Sequence, residues 1–165
     1  MIYFTSDLHF GHDKIIEYCN RPFISATKMN NALINNWNQI IHKDDEVFVL
    51  GDFSLSTNKE SIKGWVSRLN GIKHLVLGNH DELKVWDYVS CGFTSVHTVL
   101  KLTDKIYLAH DPAIKTALPE GSILLHGHVH CLWRDMLDKG LINIGTDVWG
   151  FKPVSLEQIK QLIGE

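Results

Sequence analysis

Short apolar runs, each followed by a polar residue or a glycine, recur along the chain. Runs rich in Val, Ile, Leu, Tyr and Phe that are bounded in this way are typical of buried strands. Five such runs cover residues 2–5, 47–50, 75–77, 106–109 and 123–125. Between residues 94 and 110, two β-rich runs flank Thr103-Asp104 and predict a hairpin.

Helical patterns fall between the early strands and at the end of the chain. Residues 13–18 predict a short helix, and apolar positions three or four residues apart predict a longer one over residues 27–41. Thr57 with Glu60, and Ser155 with Gln158, have the spacing of capping boxes, and the first of these helices is expected to run to about Leu69. The order β-α-β-α-β in the front half and mainly β in the back half predicts one α/β domain over residues 1–165.

The composition is that of an ordinary globular protein, with 44% hydrophobic and 21% charged residues. A net charge of −3 argues against a broad positive surface for duplex DNA or anionic lipid, although bound cations would make one site positive. The first residues carry no basic leader, and no apolar run is long enough to cross a bilayer. Three cysteines without CxxC spacing are expected to be reduced thiols, so we expect a cytoplasmic protein that acts away from membranes.

Five polar motifs follow directly after the apolar runs. In α/β folds, residues that handle ligands gather beyond the carboxyl ends of strands, so we expect these motifs to lie close together. The motifs are Asp7-Leu8-His9, Gly51-Asp52, Gly78-Asn79-His80-Asp81, His110-Asp111 and His126-Gly127-His128-Val129-His130.

Taken singly, most of these motifs also have a purely structural explanation. Asp7 could cap the following segment, and an Asp after a strand, such as Asp52, is a common turn residue. Three alternating histidines around Gly127 are harder to explain by packing, because buried imidazoles need hydrogen-bond partners. Of these three, His126 is expected either to orient a metal ligand or to pack at the strand end.

Together the motifs offer mixed oxygen and nitrogen donors, which suit Mn²⁺, Fe or Zn²⁺ better than Ca²⁺. Seven donors are too many for one tetrahedral zinc ion but suit two ions, and a carboxylate such as that of Asp52 can bridge them. The candidate metal ligands are Asp7, His9, Asp52, Asn79, His110, His128 and His130.

The ordered series Asp-x-His, Gly-Asp, Gly-Asn-His-Asp, a lone His and Gly-His-x-His resembles the calcineurin-like metallophosphoesterases. The match runs from Asp7 to His130, and the short chain with its variant first motif resembles compact bacterial and phage members. The resemblance implies a β-sandwich core flanked by helices, in a four-layer αββα fold. It also implies one metal held by Asp7, His9 and His130, a second held by Asn79, His110 and His128, Asp52 as the bridge, and His80 as the catalytic acid.

The function that the resemblance implies is hydrolysis of small phosphodiesters or phosphomonoesters, nucleotides included, with two divalent ions. Mn²⁺ is the first choice, with Fe or Zn²⁺ as alternatives, and a metal-bridging hydroxide is expected to attack phosphorus. Some family members orient the catalytic histidine through an Asp at the position of Leu55, so another group, such as Asp81 or Asp111, is needed here. His12 and Arg21 are candidate substrate contacts, since an arginine can clamp a phosphate.

Two alternatives stay open. The first is a nuclease that acts on short single strands, because the low basic content argues only against a duplex. The second is a non-catalytic scaffold, which should lack a metal ligand or the acid, whereas all of them are present. Trp133 and Trp149 follow polar loops and either stack on a nucleobase or pack internally.

Overall fold

Two five-stranded mixed sheets form the core of the protein, whose computed structural model describes all 165 residues. The first sheet has the order β10-β1-β2-β3-β4 and the second the order β5-β6-β7-β9-β8, once the strands are numbered along the chain. The strands are β1 (Ile2–Thr5), β2 (Glu46–Leu50), β3 (Ile72–Val76), β4 (Ser95–His97), β5 (Val99–Lys101), β6 (Ile106–Ala109), β7 (Ile123–His126), β8 (Asp135–Met136), β9 (Leu141–Asn143) and β10 (Val154–Ser155). The predicted hairpin is confirmed, because β5 and β6 pair antiparallel on either side of Thr103-Asp104.

Helices connect most strands of the first sheet. They are α1 (Asp13–Tyr18), α2 (Ala26–Asn38), α3 (Lys59–Val66), α4 (Val85–Ser90) and α5 (Leu156–Leu162), with 3-10 turns at Pro112–Ala117, Leu137–Lys139 and Thr146–Val148. The predicted α/β class and the range of α1 are confirmed, whereas α4 was not predicted. No helix combines the length and the apolar character that a membrane crossing requires.

The caps of two helices test the capping-box predictions. Ser155 and Gln158 form the reciprocal pair of hydrogen bonds at the start of α5, as predicted. The predicted box at Thr57 is wrong, because the side chain of Asn58 caps α3 by accepting a hydrogen bond from the Ser61 amide. Asn is at least as good a cap as Thr, so a helix start shifted by one residue is favoured.

Alternation along the strands of the first sheet builds two apolar layers. Successive strand residues point to opposite faces, so Tyr3 and Val47 pack among the helices while Phe4 and Phe48 pack against the second sheet. The 12-residue inner cluster joins the two sheets face to face and also takes in Ile159 of α5. The 19-residue outer cluster fixes α1, α2 and α3 on the first sheet.

Candidate metal centre

The carboxyl ends of six strands meet at one edge of the two sheets. β1, β2 and β3 run parallel in the first sheet, and β6, β7 and β9 run parallel in the second. A parallel bridge between Ser6 and Gly145 joins the loops of β1 and β9, so the two sheets touch at this edge. All five motifs lie here, and the structure brings together all seven candidate ligands.

The first group of donors consists of Asp7, His9, Asp52 and His130. One ligand atom from each lies within 4.8 Å of those of the other three, and the first three residues are buried. His9 Nε2 is 3.5 Å from Asp52 Oδ2, and His130 Nε2 is 3.9 Å from Asp7 Oδ1. Two carboxylates and two imidazoles therefore face one small space.

The second group of donors consists of Asn79, His110 and His128. Asn79 Oδ1 lies 3.0 Å from His110 Nε2 and 2.9 Å from His128 Nδ1, and the two ring nitrogens are 3.3 Å apart. His110 Nε2 is also 3.5 Å from Asp52 Oδ2. Asp52 thus presents one oxygen to an imidazole of each group, which is the position that a bridging ligand requires.

His9 provides the test of whether this space fits a metal. Its Nε2 atom is buried and has no hydrogen-bond partner. Burial, reinforced by His130 and Arg21 nearby, lowers the pKa of His9 to about 2, so the ring is neutral. A neutral imidazole with a free ring nitrogen is the form that binds a divalent metal, and unpaired buried donors are otherwise unfavourable. Nε2 of His126 is also buried and unpaired, but that residue belongs to no cluster of donor atoms, so the fit rests on the convergence of His9 with Asp7, Asp52 and His130. This donor set fits a divalent cation.

The backbone around these donors is strained. Seven non-glycine residues have positive φ, and five of them are candidate ligands: Asp7, His9, Asp52, His128 and His130. Such angles are uncommon outside glycine and cost about 1–3 kcal/mol each when the surrounding structure enforces them. The loops therefore keep an unfavourable conformation that directs these five side chains to one place.

Close packing around Asp7 holds its carboxylate in position. Both carboxylate oxygens of Asp7 lie 3.1 Å from the His128 backbone nitrogen and accept its hydrogen. A Cβ atom at Gly127 would overlap Asp7 Oδ2 and Ser6 Oγ. Only a glycine therefore allows the loop after β7 to approach β1 this closely. Burial raises the pKa of Asp7, against the lowering effect of His110 and His130.

Asp81 does not contact the side chain of His80, contrary to the expectation that it orients this residue. Its carboxylate accepts hydrogen bonds from three backbone amides, those of Asp52, Phe53 and Gly78, and so fixes the loops after β2 and β3. Asp111 forms no ion pair with His80 either, and its Oδ1 atom accepts the Ala113 amide hydrogen at the cap of a 3-10 turn. The nearest carboxylate to the His80 ring is Asp52, with Nε2 and Oδ2 4.0 Å apart.

Arg21 has a different role from the expected phosphate clamp. It is buried, and its Nε and Nη2 atoms donate to the two carboxylate oxygens of Asp147 at 2.7 and 2.8 Å. The same guanidinium donates to the backbone carbonyls of Asp7 and Leu8. With these donors engaged, Arg21 is a structural residue beneath the site, and the substrate-contact prediction for it is wrong.

Asp147 is a site residue that the sequence analysis missed. Its Oδ2 atom lies 3.4 Å from Nδ1 of His130, while the other ring nitrogen faces Asp7. Burial opposes protonation of His130, but Asp147 and Cys19 outweigh it and raise the pKa to about 10. Asp147 follows β9 after a Gly-Thr pair, so the same pattern of a carboxylate behind an apolar run could have revealed it.

His126 and Trp149, whose roles the sequence left open, both pack internally. His126 is fully buried, its ring lies 4.8 Å from that of Trp133, and its Nδ1 faces the Gly127 carbonyl, so it packs at the strand end. Trp149 donates a hydrogen bond from Nε1 to the Asn143 carbonyl. His12 in contrast lies at the site, with Nδ1 3.4 Å from that of His9. Only His12 therefore remains a candidate substrate contact.

Two known proteins are similar to this chain over almost its whole length. No family model matches it. The uncharacterized protein MJ1445 of Methanocaldococcus jannaschii is 36% identical, over 98% of this chain and 90% of its own length. The gene 66 protein of Mycobacterium phage L5 is 30% identical, over 98% of this chain and 93% of its own length.

Two solved structures share the fold. A protein of unknown function from Aquifex aeolicus, AQ665, superposes with a TM-score of 0.77 at 27% identity, covering 99% of each chain. The nuclease MPE of Pseudomonas putida superposes with a TM-score of 0.52 at 22% identity, covering 78% of this chain and 61% of the nuclease. On sequence and length, the chain belongs to the same family as MJ1445 of Methanocaldococcus jannaschii and the gene 66 protein of Mycobacterium phage L5.

Proposed function

We propose that this protein is a metal-dependent phosphoesterase of the calcineurin-like type that hydrolyses small phosphodiesters or phosphomonoesters, nucleotides included. The observation that carries the proposal is the pair of donor groups that meet at Asp52, whose Oδ2 lies 3.5 Å from an imidazole nitrogen of each. In the four-layer αββα architecture of that type, the two sheets would be the inner layers. Two divalent ions, Mn²⁺ or alternatively Fe or Zn²⁺, suit this set of oxygen and nitrogen donors.

Asp7, His9 and His130 would hold one ion, Asn79, His110 and His128 the other, and Asp52 both. Bound there, the ions supply Lewis acidity toward a phosphate and lower the pKa of water to near neutrality. Two divalent ions against two carboxylates leave a formal charge of about +2, which favours an anionic phosphate. The buried ring of His9 and the strained loops keep the donors oriented before substrate arrives.

His80 is the residue proposed to protonate the leaving oxygen. Its side chain is 40% exposed, whereas that of Asp52 is 2% exposed, so His80 faces the open side of the site. The Asp52 carboxylate lies too far from its ring for a hydrogen bond, which leaves both ring nitrogens available to substrate. His12 lies beside His9 and would contact the phosphate from the same side.

A nuclease that acts on short single strands is the second candidate. The fold that this chain shares with the nuclease MPE favours cleavage of a phosphodiester bond. It does not indicate whether the bond belongs to DNA or to RNA. The net charge of −3 argues against tight binding of a duplex. Labelled single-stranded and duplex oligonucleotides, offered beside small esters, would separate the two candidates by their relative kcat/KM.

The deciding experiment uses metal-stripped protein reloaded with Mn²⁺. Turnover of bis(p-nitrophenyl) phosphate and p-nitrophenyl phosphate would be measured for the wild type, Asp52→Asn and His80→Ala, with Asp104→Asn as a surface control that removes the same charge. We expect metal-dependent turnover, near-complete loss in Asp52→Asn, and a smaller loss in His80→Ala with its metal content intact, because p-nitrophenolate departs with little help from a general acid. Absence of metal-dependent turnover of both esters, or full activity in Asp52→Asn, would refute the proposal.

A further inference from the structure

An apolar cavity of about 250 Å³ opens directly beside the candidate metal centre. Its lining includes the candidate ligands His128 and His130, and most of the rest is apolar. A larger cavity, of about 510 Å³, lies beside Lys105 and Ile123, where strands of the second sheet begin, at the far end from the motifs. A third cavity, of about 170 Å³, also borders the candidate ligands, at Asn79, His110 and His128. The cavity of about 250 Å³ is therefore the larger of the two that a bound phosphate ester would reach.

Two large apolar side chains at this cavity are exposed to solvent. Tyr18, at the end of α1, is 69% exposed, and Leu132, in the loop after β7, is 78% exposed. The Tyr18 hydroxyl makes no hydrogen bond within the protein, so neither the core nor a polar network accounts for this ring. Exposed apolar groups that cluster around a concave surface mark a binding site more often than scattered ones do.

A row of aromatic rings connects this cavity to the metal centre. The ring of Tyr18 lies edge-on to that of His12 at 6.3 Å, and the ring of His12 lies 5.3 Å from that of His9. On the other side, His130 continues directly through Cys131 to Leu132. Two residues that line the cavity therefore lie next to the donor atoms: Tyr18 through the ring of His12, and His130 directly.

We propose that this cavity binds the nucleobase of a nucleotide ester whose phosphate lies at the metal centre. The inference rests on the proposed function and specifies its substrate class. Pockets for whole drug-sized ligands span roughly 300–1,000 Å³, so a cavity of about 250 Å³ suits a single ring system. A flat base would stack on Tyr18 and contact Leu132, and such stacking tolerates any base because each presents a π face.

The test uses phosphonates, which are not hydrolysed and differ only in their organic group. Methylphosphonate, butylphosphonate and the 5′-methylenephosphonate of adenosine would be titrated calorimetrically into the Mn²⁺-loaded protein. One stacked base corresponds to about tenfold in Kd, so the adenosine compound should bind about tenfold more tightly than methylphosphonate. Tyr18→Ala should remove this advantage and Leu132→Ala reduce it, whereas Tyr18→Phe should keep it.

Trp86→Ala is the matched control, because Trp86 is also a 68% exposed aromatic residue but does not line the cavity. It should leave all three Kd values unchanged. Equal affinity for the adenosine and methyl compounds in the wild type, or no binding of the adenosine compound, would overturn the proposal. An equal gain for butylphosphonate would also overturn it, because the cavity would then take any apolar chain.

Turnover of bis(p-nitrophenyl) phosphate, measured on the same preparations, keeps this inference separate from the proposed function. If turnover is absent while the adenosine preference is present and depends on Tyr18, the esterase proposal fails and the base-binding site stands. If turnover is present without the preference, the base-binding site fails alone.

Discussion

The carboxylate of Asp147 lies between the guanidinium of Arg21 and the imidazole of His130, beneath the candidate metal centre. Arg21 donates two hydrogen bonds to it, and Nδ1 of His130 lies 3.4 Å from its Oδ2 atom. A histidine that binds metal through one nitrogen is commonly oriented by a carboxylate at the other, and loss of such a partner weakens metal binding about 10–100-fold. Asp147 is positioned to orient His130 in this way.

Asp147→Asn should therefore weaken Mn²⁺ binding by about 10–100-fold, measured calorimetrically on the metal-free protein. The reason is that the asparagine amide has one oxygen and no negative charge, so it cannot accept from both nitrogens of Arg21 and also orient His130. Breaking a buried ion pair costs up to about 3–5 kcal/mol, so the free energy of unfolding should also fall. Asp104→Asn, which changes an exposed carboxylate in the same way, should alter neither quantity. Unchanged Mn²⁺ affinity in a folded Asp147→Asn protein would exclude an orienting role.

The role of His80 can be read from the leaving group of the substrate. A general acid matters most when the departing oxygen is strongly basic, and its contribution is typically about 10²–10⁴-fold. His80→Ala should thus lose about 10²–10⁴-fold in kcat/KM on a diester with a phenolate leaving group, and far less on its p-nitrophenolate counterpart. Equal losses on both esters would indicate that His80 binds the phosphate instead of donating a proton.

At the scale of elements, glycines set how closely the loops approach one another. Gly127→Ala would place a Cβ atom against Ser6 and Asp7, so we expect a loss of about 1–3 kcal/mol in the free energy of unfolding and weaker Mn²⁺ binding. Gly64→Ala is the matched control, and it should change the free energy of unfolding in the opposite direction. Gly64 lies inside α3 with no atom near the added methyl, so alanine should stabilise the helix by up to about 1 kcal/mol. Urea unfolding of both variants measures the two changes, and destabilisation of similar size in both would contradict the loop-contact explanation.

Elements that depend on local sequence were predicted well, and those that depend on distant contacts were not. The strands before Asp7 and Asp52 follow from short apolar runs, and the range of α1 matches its local pattern. α4 was missed although it is as long as α1, because four of its six residues, Val85, Trp86, Tyr88 and Val89, are β-branched or aromatic types that are enriched in strands. The strand-end rule placed the motifs correctly, because it depends only on chain direction within parallel sheets.

Side-chain partners across the chain could not be predicted in the same way. Asp147 and Arg21 are 126 positions apart, and the sequence around either residue does not indicate that their side chains form an ion pair. The expected link from Asp81 to His80 failed because adjacent residues in a tight turn can point apart, and Asp81 satisfies three backbone amides instead. The cavity beside Tyr18 likewise depends on α1 and the loop after β7 meeting in space.

At the scale of the whole molecule, the candidate ligands link the two sheets. Asp7, His9, Asp52 and Asn79 follow strands of the first sheet, whereas His110, His128 and His130 follow strands of the second. Elsewhere the sheets meet through an apolar cluster, which has no directional preference of its own. Metal bound at this edge would therefore hold the two sheets in one register and stabilise the fold as a unit.

Mn²⁺ at about 100 times its Kd should raise the free energy of unfolding by about 2.7 kcal/mol, which corresponds to roughly 5–10 °C in Tm for a chain of this size. Asp52→Asn should lose most of this shift, because its carboxylate faces both donor groups, and Asp104→Asn should retain it. Ca²⁺ should shift Tm far less, since it prefers oxygen ligands. Hydrogen exchange should slow on adding Mn²⁺ at the carboxyl ends of β1 and β2 and equally of β6 and β7. Protection confined to one sheet would mean that the metal does not bind between them.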